Sequence, residues 1–129
     1  KLEGHVVFHG YQSGYMLGLF YLECDCFLLT SDYEGWGMVI IEAATAGLPI
    51  IMTDVGCAGE IIINEKSGLI IPPRDAEALL GAMRRIIEEP QLRSELSVGA
   101  IRALESLPSF DMLLTEYKRN WELALERPL

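Results

Sequence analysis

Apolar residues fall along this chain in two patterns. Up to residue 73, short continuously apolar runs alternate with longer helical stretches; from Asp75 onward only the helical spacing remains. Val6-Val7-Phe8-His9-Gly10 predicts a strand over 6–10. Further runs predict strands over 26–31, 49–54 and 68–71, the last closed by Pro72-Pro73. Between them the pattern predicts helices over 15–23 and 37–46, the second stopping at Gly47, and a short helix over 59–64. The strands do not alternate apolar with polar, as is typical of strands buried on both faces. Strand, helix, strand in sequence implies right-handed crossovers and a parallel sheet, hence an α/β fold with about four strands and covering helices. Asp75 is a good cap for a helix with Leu79, Leu80, Met83, Ile86 and Ile87 on one stripe. Pro90 suits the start of a helix near 92–107. Ser109 caps a last helix running to 126, with Phe110, Leu113, Leu114, Tyr117, Trp121 and Ala124 on its apolar face.

Composition narrows the classes. The 129 residues allow one domain, and a content of 50% hydrophobic and 22% charged residues argues against disorder. No apolar run approaches the ~20 residues of a membrane span, and the start does not read as a signal peptide. The chain opens on Lys1 rather than Met, so the expectation is a piece of a longer protein. A net charge of −9 disfavours nucleic-acid phosphates and anionic membranes as partners. Residues 1–73 hold two cations, Lys1 and Lys66, against nine carboxylates; residues 74–129 hold eight cations against ten carboxylates. Three cysteines, Cys24, Cys26 and Cys57, suggest reduced, buried, inert thiols in a cytoplasmic protein. One spacer between Cys24 and Cys26 is too short for a zinc knuckle, so no metal site is expected.

The chemistry concentrates in Glu34-Gly35-Trp36-Gly37-Met38-Val39-Ile40-Ile41-Glu42, which follows the strand at 26–31 and opens a helix. In open parallel sheets, ligands bind beyond the carboxyl ends of the strands. Two glycines let the backbone approach a ligand, and the free amides of a helix start favour an anion. Glu42 lies roughly 7 Å along the axis from Gly37 at ~1.5 Å per residue, and Glu34 lies outside the mouth. That spacing suits a diphosphate with hydroxylated groups at both ends, since a carboxylate accepts well from vicinal hydroxyls. On spacing alone, Glu34 as a solvated loop residue and Glu42 as an ordinary helical glutamate remain equal alternatives. Against this, Glu42 sits among Ile40, Ile41, Ala43 and Ala44, where a carboxylate should have a partner.

The ordered motifs Phe8-His9-Gly10, Thr30-Ser31-Asp32-Tyr33-Glu34-Gly35-Trp36-Gly37-Met38, Glu42-Ala43, Ala46-Gly47-Leu48-Pro49-Ile50, Asp54-Val55-Gly56, Gly59-Glu60, Gly68-Leu69-Ile70-Ile71-Pro72 and Asp75 resemble the group 1 glycosyltransferases, retaining enzymes of the GT-B fold. The resemblance covers residues 5 to about 110. It implies a Rossmann-like domain forming the second half of the C-terminal, donor-binding domain, with the N-terminal acceptor domain absent. It implies transfer of a hexosyl group from a nucleoside diphosphate sugar to an acceptor hydroxyl, with the donor as substrate and no cofactor or metal. Glu34 would lie near the transferred sugar as the catalytic carboxylate, and Glu42 would hold the ribose hydroxyls. Backbone amides of Trp36, Gly37, Met38 and Val39, beside Gly35, would face sugar and diphosphate. Gly10, Tyr11 and Gln12 would sit near the base. The last helix would cross back to the N-terminal domain, and any peripheral membrane contact would belong to the absent domain.

Some features depart from the family. Thr30-Ser31 stands where Pro-Ser is common, Trp36 where Phe is common, and Cys57-Ala58 where glycine often follows Gly56. The family's Arg and Lys for the diphosphate belong upstream, in keeping with the cation-poor first half, so the chain alone is expected to be inactive. No residue stands out as a general base. A nucleotide-sugar epimerase, a sugar-phosphate synthase of related fold, or a non-catalytic nucleotide-sugar-binding module are the alternatives. Asp32 and Asp54 end strands as in phospho-receiver domains, but the acidic pair and late lysine of that class do not occur. His5 and His9 read as structural, Glu60 as the cap of the short helix, Tyr117 and Trp121 as core or interdomain packing, and Arg84-Arg85 as a solvated face.

Overall fold

The computed structural model describes residues 3–125. In chain order the elements are helix α1 (Gly14–Glu23), strand β1 (Phe27–Leu29), α2 (Met38–Thr45), β2 (Ile50–Thr53), β3 (Leu69–Ile71), α3 (Ala76–Glu88), α4 (Pro90–Glu105) and α5 (Phe110–Leu125). The strands form one parallel sheet in the order β1-β2-β3, with Phe27 opposite Ile50 and Ile51 opposite Leu69. All four residues of the central strand β2 are buried. Its side chains divide between two apolar clusters, following the two-residue period of a strand. Ile50 and Met52 pack with Ile40, Ala43 and Ala44 of α2, while Ile51 packs with Leu69, Ile71, Ala82 and Ile86. Helix α4 joins the two layers, giving Ala100 to the first cluster and Leu96 to the second.

The expected helix signals act as read. Asp75 accepts a hydrogen bond from the Ala78 amide at 2.9 Å, Pro90 opens α4, and the Ser109 hydroxyl accepts from the Met112 amide at 3.3 Å. The strands expected over 26–31, 49–54 and 68–71 all form, each shorter by one to three residues.

Several expectations are corrected. The sheet has three strands among the described residues, not four, because residues 6–10 pair with nothing there. Val6, Val7 and Phe8 are exposed, Phe8 at 94%. An apolar run becomes a strand only when a neighbour takes up its backbone hydrogen bonds, and residues 6–10 do not reach the open edge of β1. The short helix over 59–64 is absent, so Glu60 caps no helix. In its place the Cys57 carbonyl gathers the amides of Glu60, Ile61 and Ile62, and the Ser67 hydroxyl accepts from the Ile63 amide while donating to the Ile61 carbonyl. This compact turn still buries Ile61 and Ile62. Of the expected α3 stripe only Ile86 is buried; Leu79 is half-buried and Leu80, Met83 and Ile87 are exposed, while Ala82 is buried instead. Of the cysteines only Cys57 is buried; Cys24, at the C-cap of α1, is exposed and Cys26 half-buried. Helix α5 buries no residue, so Tyr117 and Trp121 are not core; its expected end at Glu126 and the cation Lys1 lie outside the described residues. No helix among the described residues is long and apolar enough to cross a membrane.

Candidate functional site

The site is built where β1 and β2 end. Gly37, buried as the N-cap of α2, has φ 85° and ψ 57°, a left-handed conformation that side-chain-bearing residues resist. A Cβ there would also stand 3.4 Å from Glu34 Cγ and from Ile40 Cγ1. The Gly37 carbonyl accepts from the Ile40 amide at 2.8 Å, and the amides of Met38 and Val39 donate to no backbone carbonyl among the described residues. Those two amides are the unpaired donors that every helix start leaves.

The loop after β2 closes on this turn. Gly56 has φ 58°, and a Cβ on it would lie 2.9 Å from the Trp36 carbonyl oxygen and 3.2 Å from Glu34 Cγ. Glycine is therefore required twice over, by conformation and by space. The next amide, Cys57, donates to the Trp36 carbonyl at 3.2 Å. Gly37 and Gly56 thus let two strand-end loops touch and hold Glu34 half-buried between them. Burial foremost, with the charges of Glu60 and Glu34, pushes the Cys57 thiol above its ordinary value against the pull of its backbone hydrogen bond. Cys57 is a protonated packing residue.

Glu42 projects from the next turn of α2 toward α1. Glu42 is exposed despite its apolar sequence neighbours, so burial does not force a partner on it; the Tyr21 hydroxyl nevertheless donates to Glu42 Oε2 at 2.9 Å. The Tyr21 ring leans on Phe27 of β1, with centroids 5.8 Å apart. Burial first, then the hydrogen bond and charge of Glu42, push the Tyr21 phenol up to about 12, so it stays a donor. Glu42 and Tyr21 edge an otherwise apolar groove of about 500 Å³ between α1 and α2, walled by Leu17, Leu22 and Ile41.

The structure therefore brings Glu34, Gly35, Trp36, Gly37, Met38 and Val39 into one turn, with Glu42 following on the same helix. Gly35, Trp36 and Met38 are exposed and Val39 is half-buried. Gly10, Tyr11 and Gln12 stand apart. Tyr11 is 92% exposed, and the Gln12 side-chain amide donates to the nearby His9 carbonyl at 2.8 Å. No hydrogen bond ties these three to α2 or its leading turn among the described residues. The exposed His9 ring lies 4.4 Å from that of Phe20, the two tilted by 53°.

Two features escape the sequence reading. One is Tyr21, which looks like any residue of an apolar helix, and α1 carries a second phenol, Tyr15, that the sequence does not tell apart from it. The other is Arg74, which reaches Asp32 at 2.7 Å beside a small cavity of about 240 Å³ at the strand ends. The Arg74 hydrogen bond holds the Asp32 carboxyl below its ordinary value. Arg85 also departs from a solvated face, since its guanidinium grips both Glu65 oxygens at 2.6 and 2.8 Å.

Comparison with known proteins bears on this geometry. Residues 1–103 match the family described as glycosyl transferases group 1. A glycogen synthase of Mycobacterium tuberculosis is 35% identical over 82 residues, 64% of this chain and 20% of the relative. The sucrose-phosphate synthase of Thermosynechococcus elongatus superposes with a TM-score of 0.72 at 28% identity, over 85% of this chain and 28% of that one. The Anabaena protein HepE, solved with UDP and glucose, superposes with a TM-score of 0.77 at 25% identity, over 95% of this chain and 33% of that one. The chain spans between a fifth and a third of the length of these proteins. The shared architecture is the α/β sheet of GT-B glycosyltransferases, in which the turn at Gly37 follows the end of a parallel strand. A family match over residues 1–103 and likeness of fold agree, and the chain belongs to the group 1 glycosyl transferases.

Proposed function

We propose that the chain forms the second half of the donor-binding domain of a retaining glycosyltransferase, which moves a hexosyl group from a nucleoside diphosphate sugar to an acceptor hydroxyl. The observation that carries the reading is the turn at Glu34–Gly37. It presents the unpaired amides of Met38 and Val39 at a helix start, with Glu34 before it and Glu42 five residues beyond Gly37. Oriented amides and the helix dipole favour a diphosphate there, each contribution being on the order of 0.3–2 kcal/mol. The relative solved with UDP and glucose supports the same ligand class. Glu34 sits on the sugar side and Glu42 on the ribose side. Gly10, Tyr11 and Gln12 approach the base once their segment joins the rest of the sheet. No cofactor is required, the nucleoside diphosphate sugar being the donor substrate.

The local cation supply is small for a diphosphate. Residues 3–73 contain one lysine, Lys66, in the turn before β3, and the next cation, Arg74, is already paired with Asp32. The balancing cations and the acceptor site come from outside this chain, so the 129 residues alone do not transfer sugar. Exposed α5, with Tyr117 and Trp121 in the open, is the element that packs on the acceptor domain. The whole protein works in the cytoplasm, and any contact with a membrane surface is made outside these residues.

Calorimetry on the full-length protein with UDP, GDP and ADP tests the assignment. Glu42→Ala is expected to weaken the bare nucleoside diphosphate by ~1.5–3 kcal/mol, roughly 10- to 150-fold. Glu34→Ala is expected to spare that binding and lower turnover, as a contact that strengthens in the transition state should. Unchanged diphosphate affinity in Glu42→Ala would sink the ribose role, and normal turnover in Glu34→Ala would sink the sugar role.

A further inference from the structure

Glu42 is the fifth residue of α2, exposed, on a side chain with three rotatable bonds. Left free, such a carboxylate samples many rotamers, and fixing it on a ligand costs conformational entropy. It is not left free. The Tyr21 hydroxyl donates to Oε2 at 2.9 Å, so one carboxylate oxygen is engaged before any ligand arrives and Oε1 keeps its full accepting capacity. The phenol is itself held, because its ring is half-buried against Phe27 and its hydroxyl stays protonated at any physiological pH. A tyrosine has few rotatable bonds, so it orients a partner at small entropic cost.

We infer that Tyr21 is a positioning residue that aims the Glu42 carboxylate at the two vicinal ribose hydroxyls of the nucleoside diphosphate, so that the Tyr21–Glu42 pair sets selection for ribonucleotides over deoxyribonucleotides. This rests on the ribose role proposed for Glu42 and deepens it. A pre-aimed acceptor gains from hydroxyls that are present, and it loses that gain when they are missing, because the aim itself forms no bond to the base or to the phosphates. Tyr21 touches no ligand atom in this scheme; it acts only through Glu42. The competing account makes the same hydrogen bond a strut between α1 and α2, with no preference for one sugar over another.

The experiment is a ligand cycle on the full-length protein. The tightest binder among UDP, GDP and ADP is compared with its 2′,3′-dideoxy counterpart for wild type, Tyr21→Phe, Glu42→Gln and the double variant. Tyr21→Phe keeps the ring on Phe27 and removes only the donor. It should weaken the ribonucleotide about 3- to 10-fold and leave the dideoxy ligand unchanged, with the loss disappearing in the Glu42→Gln background. Equal weakening of both ligands would make Tyr21 a strut, and no weakening of either would make it a bystander; both overturn the proposal. If wild type binds the two ligands alike, the ribose role of Glu42 fails, and that result is read from wild type before any tyrosine variant is considered. A fold lesion in Tyr21→Phe would lower both affinities, whereas coupling confined to the ribonucleotide cycle is out of reach of such a lesion.

Discussion

Helices α1 and α2 have nearly the same character and opposite fates. Gly14–Glu23 and Met38–Thr45 are both dominated by apolar residues, each with one glutamate, and each leads into a strand of the same sheet. Helix α2 buries Ile40, Ala43 and Ala44, while α1 buries none of its ten residues. The difference lies outside the helices. Helix α2 connects β1 to β2, which are hydrogen-bonded to each other, so its apolar face lands on a finished surface. Helix α1 connects residues 6–10 to β1, and residues 6–10 have no strand partner among the described residues. In an α/β fold, a helix is buried by the pairing of the strands on either side of it. Its own sequence supplies only the willingness. Under the proposed function, α1 and residues 6–10 form the seam along which the other half of the donor domain completes the sheet.

The sharpest way to break this comparison is to truncate each helix in turn. Ile40→Ala, at a site with 0% exposure, should cost the isolated chain about 2–5 kcal/mol. Leu22→Ala in α1, where the side chain is exposed, should stay within about 0.5 kcal/mol. Urea denaturation followed by far-UV circular dichroism reads both. The full-length protein sharpens the test, because Leu22→Ala should there become destabilising by a measurable margin while Ile40→Ala keeps its cost. Equal costs in the isolated chain would show that α1 is already packed and that the seam does not exist.

A smaller effect is expected where the loops after β1 and β2 meet. Gly56→Ala places a Cβ 2.9 Å from the Trp36 carbonyl oxygen in a left-handed conformation, at a cost of about 1–3 kcal/mol. Gly18→Ala in α1 has no heavy atom within 4 Å of its Cβ and replaces a helical glycine, so it should stabilise slightly. Opposite signs for two Gly→Ala changes, measured by the same urea titration, would confirm that the structural constraint lies at the site and not in α1.

What could be read from sequence follows the same division. Strands β1, β2 and β3 and helix α2 were legible because their apolar runs lack alternation and their partners lie within the chain. Asp75, Pro90 and Ser109 were legible because caps and proline act over a few residues. Residues 6–10 were misread because Val6-Val7-Phe8 carries the same local signal as a paired strand, and pairing is a property of the neighbour. Residues 59–64 were misread because the Cys57 carbonyl and the Ser67 hydroxyl satisfy the amides that a helix ladder would have taken. At the site, Glu34, Gly37 and Glu42 were marked by spacing and motif. The Tyr21 contact was not, since it joins residues 21 positions apart on two helices whose relative placement no local pattern encodes.

The smallest effect belongs to the far edge of the core and is a matter of charge. Glu65 sits in a left-handed turn conformation before β3, and Arg85 of α3 binds both its oxygens. The hydrogen bond from Arg85, foremost, holds the Glu65 carboxyl below its ordinary value against a small opposing cost of burial. A carboxyl lowered in the folded state adds stability that is fully present above the unfolded value near 4.3 and is lost as pH falls through the lower folded value. Both side chains are well exposed to solvent, at 39% and 50%, so screening leaves only about 0.5 kcal/mol at neutral pH. Arg85→Gln should therefore be destabilising by that margin at pH 7, and its difference from wild type should shrink toward zero on acidification below about pH 4. Added salt at pH 7 should also narrow the gap. Chemical denaturation of the two proteins across pH 3–7 provides the measurement. A difference that holds constant through acid would mean that Arg85 acts through the packing of its stem rather than by charge, and would leave the turn before β3 held by Ser67, by Asn64, which accepts from the Ile70 amide, and by the backbone.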